Sequence, residues 1–110
     1  LNEGVLLGKR YIKSSILKKF TRRMYIPKSS DRTIGWDSPS QNGNSSAGDY
    51  FSKNTYGHLG FTGTSLWIDP DKDIIVVLLT NRTYPQRGNK IEMKKVRRDF
   101  HNELLKIIGD

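Results

Sequence analysis

The residues of this chain best suited to chemistry lie in one short run, His58-Leu59-Gly60-Phe61-Thr62. Imidazole changes charge near neutral pH, with an ordinary pKa of about 6.5, so His58 can donate, accept or carry a proton as its surroundings require. Gly60 leaves the backbone bare, which lets a ligand lie close against it. Two other short patterns carry nucleophilic residue types. Ser15-Ile16-Leu17-Lys18 sets a hydroxyl three residues before an amine, and Ser52-Lys53-Asn54 sets one two residues before a carboxamide. Neither is well placed. Ser15 falls at a helix start, where capping accounts for a serine, and that helix has a strongly basic exposed face. Ser52 lies in a loop just ahead of the strand that holds His58. An isolated histidine at a strand end is usually a hydrogen-bonded structural residue, so His58 needs support from its flanks.

The elements that must position these residues read as an α+β arrangement. Leu1 to Tyr11 looks like the end of an element interrupted by Gly4 and Gly8. Ser14 or Ser15 then caps an amphipathic helix over about 15–24, in which Ile16, Leu17, Phe20 and Met24 recur at helical spacing and the basic residues take the other face. It ends before Pro27. Arg32 to Asp37 is a short strand candidate, and residues 38–54 form a polar loop rich in serine and glycine, long enough to be either functional or disordered. Strands follow over about 55–60, 64–68 and 73–81, with Thr62-Gly63 as a bend and Asp69-Pro70-Asp71-Lys72-Asp73 as turn chemistry. The β-branched run in the last strand implies burial on both faces. Asn89 caps a helix over about 90–108, with Met93, Val96, Phe100, Leu104, Ile107 and Ile108 as its apolar stripe and Gly109 as its stop. That helix should lie across the sheet.

Composition bounds the rest. At 110 residues with 35% hydrophobic content and a mean hydropathy of −0.64, the chain holds one modest core and no second lobe. It has no cysteine, so no disulfide framework compensates. The apolar run Ile74 to Leu79 is far short of the ~20 residues that a membrane-spanning helix needs. No signal sequence opens the chain, which begins at Leu1. Net charge is +8, concentrated in Lys9, Arg10, Lys13, Lys18, Lys19, Arg22, Arg23, Lys28 and Arg32. Such a patch fits either a solvated helix face or a basic module that holds an anionic polymer. No aromatic interleaving or nucleic-acid motif accompanies it, so nucleic acid is not the favoured partner.

With its flanks included, the central run resembles the third active-site element of the serine β-lactamases, penicillin-binding proteins and their esterase relatives. That family uses a nucleophile in S-x-x-K, a Tyr-x-Asn or Ser-x-Asn element, and Lys-Thr-Gly, sometimes His-x-Gly, on an edge strand lining the cleft. His58-Leu59-Gly60 stands where the third triplet belongs. After it come a glycine-containing bend, a strand ending in Trp67-Ile68-Asp69-Pro70, an apolar strand ending in Thr80-Asn81-Arg82, then Tyr84-Pro85 and a closing helix. Gly35-Trp36-Asp37 and Ser45-Ser46-Ala47-Gly48 look like the loop that leads into this strand.

The resemblance covers essentially all of residues 1–110 and implies a single partial domain, the C-terminal portion of a β-lactamase/transpeptidase-like fold, with residues 38–54 at the cleft rim. Carried across by position, His58 is the cationic or hydrogen-bonding residue, Gly60 the cleared floor, and the Phe61 backbone N–H an oxyanion-hole donor. Leu59 and Thr62 fall on the substrate side, although Leu59 replaces the usual small hydroxyl residue. No metal or organic cofactor is implied.

The resemblance further implies acyl transfer on a β-lactam, a D-alanyl peptide or an ester, outside the cytoplasm, with the nucleophile and base in other sequence. Partners would be the N-terminal part of the same protein or a second copy paired along the exposed Ile74 to Leu79 edge. A basic binding module and a scaffold that has lost its chemistry are the competing readings.

Overall fold

The computed structural model describes residues 1–109. A short hairpin of β1 (Val5–Leu6) and β2 (Lys9–Arg10) opens the chain, followed by α1 (Ser14–Thr21). Leu7 and Gly8 turn the hairpin with φ of 48° and 78°, the double left-handed geometry that suits a two-residue connection. The glycines taken as interruptions therefore serve a hairpin. Helix α1 is shorter than the predicted 15–24, because Arg22 is already extended. Its N-cap is Lys13, with no side-chain cap bond, rather than Ser14 or Ser15. Arg32 and Asp37 pair only with each other across a tight turn and, through Asp37, with Gly57, so the predicted strand there is reduced to isolated bridges.

The main sheet is antiparallel, in the order β3 (Tyr56–Leu59), β4 (Ser65–Asp69), β5 (Ile74–Leu78). Register places Gly57, Trp67 and Val76 in one row, and Leu59, Ser65 and Leu78 in another. Strand β4 alternates buried and half-buried residues, with Ser65, Trp67 and Asp69 buried. The Asp69 carboxylate builds the β4–β5 turn by accepting from the N–H groups of Asp71 (3.0 Å) and Lys72 (3.1 Å), and its other oxygen accepts from Ser52 N–H (2.8 Å).

Helix α2 (Lys90–Ile108) begins at Asn89, whose side chain accepts from the Ile91 N–H, and carries Glu92 in its first turn, where the helix dipole favours an anion. It covers the Trp67 face with Met93, Arg97, His101 and Leu105. This differs from the predicted stripe. Spacing of four places those residues on one line, and two of them are polar but satisfied: His101 meets Ser65 Oγ (3.4 Å) and the Ser46 carbonyl (2.9 Å). Val96, Phe100, Ile107 and Ile108 instead lie exposed. Strand β5 is likewise buried on one side only. Val76 is buried while Ile75, Val77 and Leu79 are exposed, because nothing among the described residues covers the opposite sheet face at β5. Residues 38–54 are docked on α2: Asp49 pairs with Arg98, its N–H donates to Asn102 Oδ1 (2.8 Å), and Ala47 is fully buried.

Candidate active site

Strand alternation sets the direction of His58. Gly57 and Leu59 share the row of Trp67 and Ser65 beneath α2, so Tyr56 and His58 belong to the opposite face, with Leu66 and Val77 beside His58 in the register. His58 is exposed. Its Nδ1 lies 2.8 Å from the Leu59 carbonyl, which can only accept. A proton therefore sits on Nδ1 in this contact. Leu59 is half-buried on the α2 side, so the structure does not bring its side chain beside His58.

Strand β3 is an edge of the sheet. Asp37 covers that edge only at Gly57, through reciprocal bonds of 2.8 and 2.9 Å. Beyond that point the edge is open among the described residues. Gly60 then begins a bend in which every carbonyl oxygen is held. The Gly60 carbonyl accepts from Arg97 Nη2 (2.8 Å) and Gly63 N–H (3.2 Å), and Phe61 O accepts from Arg82 Nε (2.8 Å). Thr62 O accepts from Arg82 N–H (2.9 Å) and Thr80 Oγ1 (3.2 Å). Gly63 O accepts from Arg97 Nε (3.0 Å), and Thr64 O from Arg97 Nη2 (2.9 Å) and Gly60 N–H (2.8 Å). The Phe61 N–H, by contrast, finds no acceptor among the described residues. The held carbonyls make a rigid turn whose unengaged donors among the described residues are the N–H groups of Phe61, Thr62 and Thr64, and Phe61's adjoins the open strand edge. A fixed N–H donor of this kind can stabilise a developing oxyanion.

The glycines of the bend are sterically required. A Cβ on Gly60 would overlap Thr64 Oγ1, and one on Gly63, at φ 99°, would crowd Met93 Sδ at 2.8 Å. Phe61 is exposed and sits between two cations, with Arg82 at 4.7 Å and Arg87 at 4.6 Å from its ring centroid. The surroundings of the free N–H are thus positively charged, which suits an anionic group.

Two residues of this arrangement escape a reading of the sequence. Arg97 holds three carbonyls of the bend from beneath the sheet, and burial, with Arg82's charge second, lowers its pKa. His101 lies fully buried below Ser65, and burial pushes its pKa below the ordinary imidazole value, reinforced by Arg97's charge and opposed by the Ser46 bond. Their even spacing with Met93 and Leu105 was the available signal, although a buried arginine is the exception in a globular core.

The serine patterns fare differently. Ser15 is exposed on α1, and Lys18 faces Glu3 at 3.8 Å rather than the serine. Ser52 serves the Asp69 turn through its N–H. The ends of the 38–54 loop, at Ser38, Lys53 and Asn54, reach a hollow of about 540 Å³ that α1 forms against Tyr56. Its middle, at Ser45 to Asp49, packs on α2 instead.

A family profile described as Beta-lactamase matches residues 1–97. A candidate D-alanyl-D-alanine carboxypeptidase of Salmonella gallinarum is 36% identical over 93 residues, covering 81% of this chain and 20% of that protein. Its counterpart in Salmonella typhi is 34% identical over the same share. The chain thus spans about a fifth of the length of these curated relatives. No solved structure matches it. With a family profile aligned along nearly all of its length, the chain belongs to the Beta-lactamase family.

Proposed function

We propose that this chain forms one wall of a serine acyl-transfer site, with the nucleophilic serine and its base supplied by protein beyond these 110 residues. The observation that carries this reading is the 60–64 bend, whose carbonyls are all held while the Phe61 N–H stays free on an open strand edge beside His58. In the proposed reaction a serine Oγ adds to the substrate carbonyl carbon and passes its proton to the base. The carbonyl oxygen takes the negative charge and is met by the Phe61 N–H. Expulsion of the amine or alcohol leaves an acyl-enzyme, which water then cleaves. His58 lines the same edge as a hydrogen-bonding or cationic group, and Gly60 keeps the floor clear for the acyl chain. Leu59 and Thr62 act through their backbone along the edge.

The substrate class proposed is a D-alanyl peptide, with β-lactams or simple esters as alternatives, and the place of action is the cell envelope. The names of the relatives and the cations around Phe61 support it, since a peptide substrate that ends in a carboxylate suits Arg82 and Arg87. The basic-module reading rests on net charge, and Arg23 of that patch is already engaged by Asp31 (2.9 Å) and the Pro39 carbonyl (2.6 Å).

The complete gene product, treated with a fluorophosphonate or a fluorescent penicillin, should take one covalent label on a serine outside residues 1–110. A His58→Ala variant should label at least ~10-fold more slowly, within the range for losing one electrostatic group at such a site. Absence of label on the intact protein, or label on Ser15 or Ser52, would reject the proposal.

A further inference from the structure

We infer that Arg97, on α2 behind the sheet, is a positioning residue that aims the Phe61 N–H into the cleft by gripping the other end of the same peptide group. The inference rests on the reading of Phe61 as an oxyanion donor. Gly60 C=O and Phe61 N–H belong to one planar trans unit, so fixing the direction of the carbonyl fixes the N–H in the opposite direction. Arg97 Nη2 holds that carbonyl at 2.8 Å from beneath the sheet, which turns the N–H away from α2.

Arg97 does more than touch one carbonyl. Its Nε holds Gly63 O at 3.0 Å and its Nη2 also holds Thr64 O at 2.9 Å, so the two ends of the bend are tied to one rigid planar group. Arg97 is only 8% exposed, and no carboxylate among the described residues lies within ion-pair distance of its guanidinium. A buried cation that faces carbonyl dipoles instead of a counter-ion keeps its field directed at those dipoles. A charged donor on the Gly60 carbonyl polarises the amide and makes the attached N–H a better donor, as in any hydrogen-bonded chain. The Gly63 N–H, at 3.2 Å from the same oxygen, gives a weaker neutral contact. A purely structural arginine would tie α2 to the sheet equally well through any exposed carbonyl. Arg97 also holds Gly63 O, whose peptide partner Thr64 N–H is likewise unengaged among the described residues, so what links Arg97 to chemistry is its hold on the carbonyl joined to the donor at the open strand edge.

The test uses the complete gene product, with Arg97→Gln and Arg97→Lys variants assayed on a chromogenic ester or cephalosporin and with a phosphonate transition-state analogue. Arg97→Gln should lower kcat by about 10²-fold, the cost of one oxyanion donor, and weaken the phosphonate by a similar factor, while KM stays within about threefold. Arg97→Lys keeps the buried cation and loses only the fork, so its kcat should fall between the two. Should the glutamine variant fail to fold, the same split between kcat and KM is read in the lysine variant. The Phe61 amide resonance should move in both variants while the Phe20 amide, on α1, stays in place. Unchanged kcat, or a loss carried by KM or thermal stability alone, would overturn the inference and leave the proposed function standing. An unsubstituted protein that takes no fluorophosphonate label would sink the proposed function, and this inference with it.

Discussion

Gly60 is a position where a single methyl group has a definite consequence, because a Cβ there would overlap Thr64 Oγ1 across the bend. Gly60→Ala should cost about 1–3 kcal/mol of stability, the usual range for overpacking, and should slow acylation of the intact protein. Thr64→Ala in the same molecule should recover much of that loss, and thermal melts of the single and double variants measure the coupling. His101 carries a pH signature. Its imidazole is neutral, donating from Nδ1 to Ser46 O, and burial holds its folded pKa below the unfolded value of about 6.5. Above that pH both states bind the same number of protons and stability is complete. As pH falls below it, the unfolded chain gains a proton that the folded one refuses, so stability should drop by up to ~1.4 kcal/mol per pH unit until the folded pKa is reached. His101→Gln should flatten that slope between pH 7.5 and 5 even if it lowers stability overall. His58 stands out as a candidate in the sequence because its triplet and flanks form a pattern along the chain. Arg97 and His101 were not, since their roles depend on side chains that reach another element.

At the scale of elements, the three strands and α2 were legible within a residue or two at most ends, since turn chemistry at Asp69-Pro70 and the Asn89 cap are local signals. The buried face of α2 was misread. Periodicity selects apolar residues, but the bare Gly63 backbone leaves room for Met93, the bend carbonyls receive Arg97, and Ser65 and Ser46 receive His101, so the line Met93, Arg97, His101, Leu105 is buried and Val96 and Ile107 lie outside. Mutations separate the two faces. Met93→Ala or Leu105→Ala should each destabilise by about 2–5 kcal/mol, as buried truncations do. Val96→Ser, at 51% exposure, should stay within about 0.5 kcal/mol in these residues taken alone. Asn89→Ala should cost about 1 kcal/mol through loss of the cap on Ile91 N–H. Chemical denaturation of each variant decides between the observed face and the stripe.

Among the described residues, uncovered apolar surfaces lie on the sheet face with Ile75 and Val77, on α2 with Val96, Phe100 and Ile107, and on α1 with Ile16 and Phe20. Uncovered surfaces of this kind mark contacts with further protein, and strand β5 adds an edge that is unpaired among the described residues. Residues 1–110 prepared alone should therefore self-associate despite a net charge of +8, and sedimentation velocity that finds a stable monomer would contradict this. Such surfaces were partly foreseeable from the thin apolar content, whereas their location depends on which side of the sheet α2 takes. The most direct measurement of the central claim is a crystal structure of the complete gene product carrying a fluorophosphonate adduct. A phosphonyl oxygen is expected about 3 Å from the Phe61 nitrogen, with His58 lining the same pocket. An adduct seated away from this strand edge, with the Phe61 N–H turned to solvent or to another carbonyl, would contradict it.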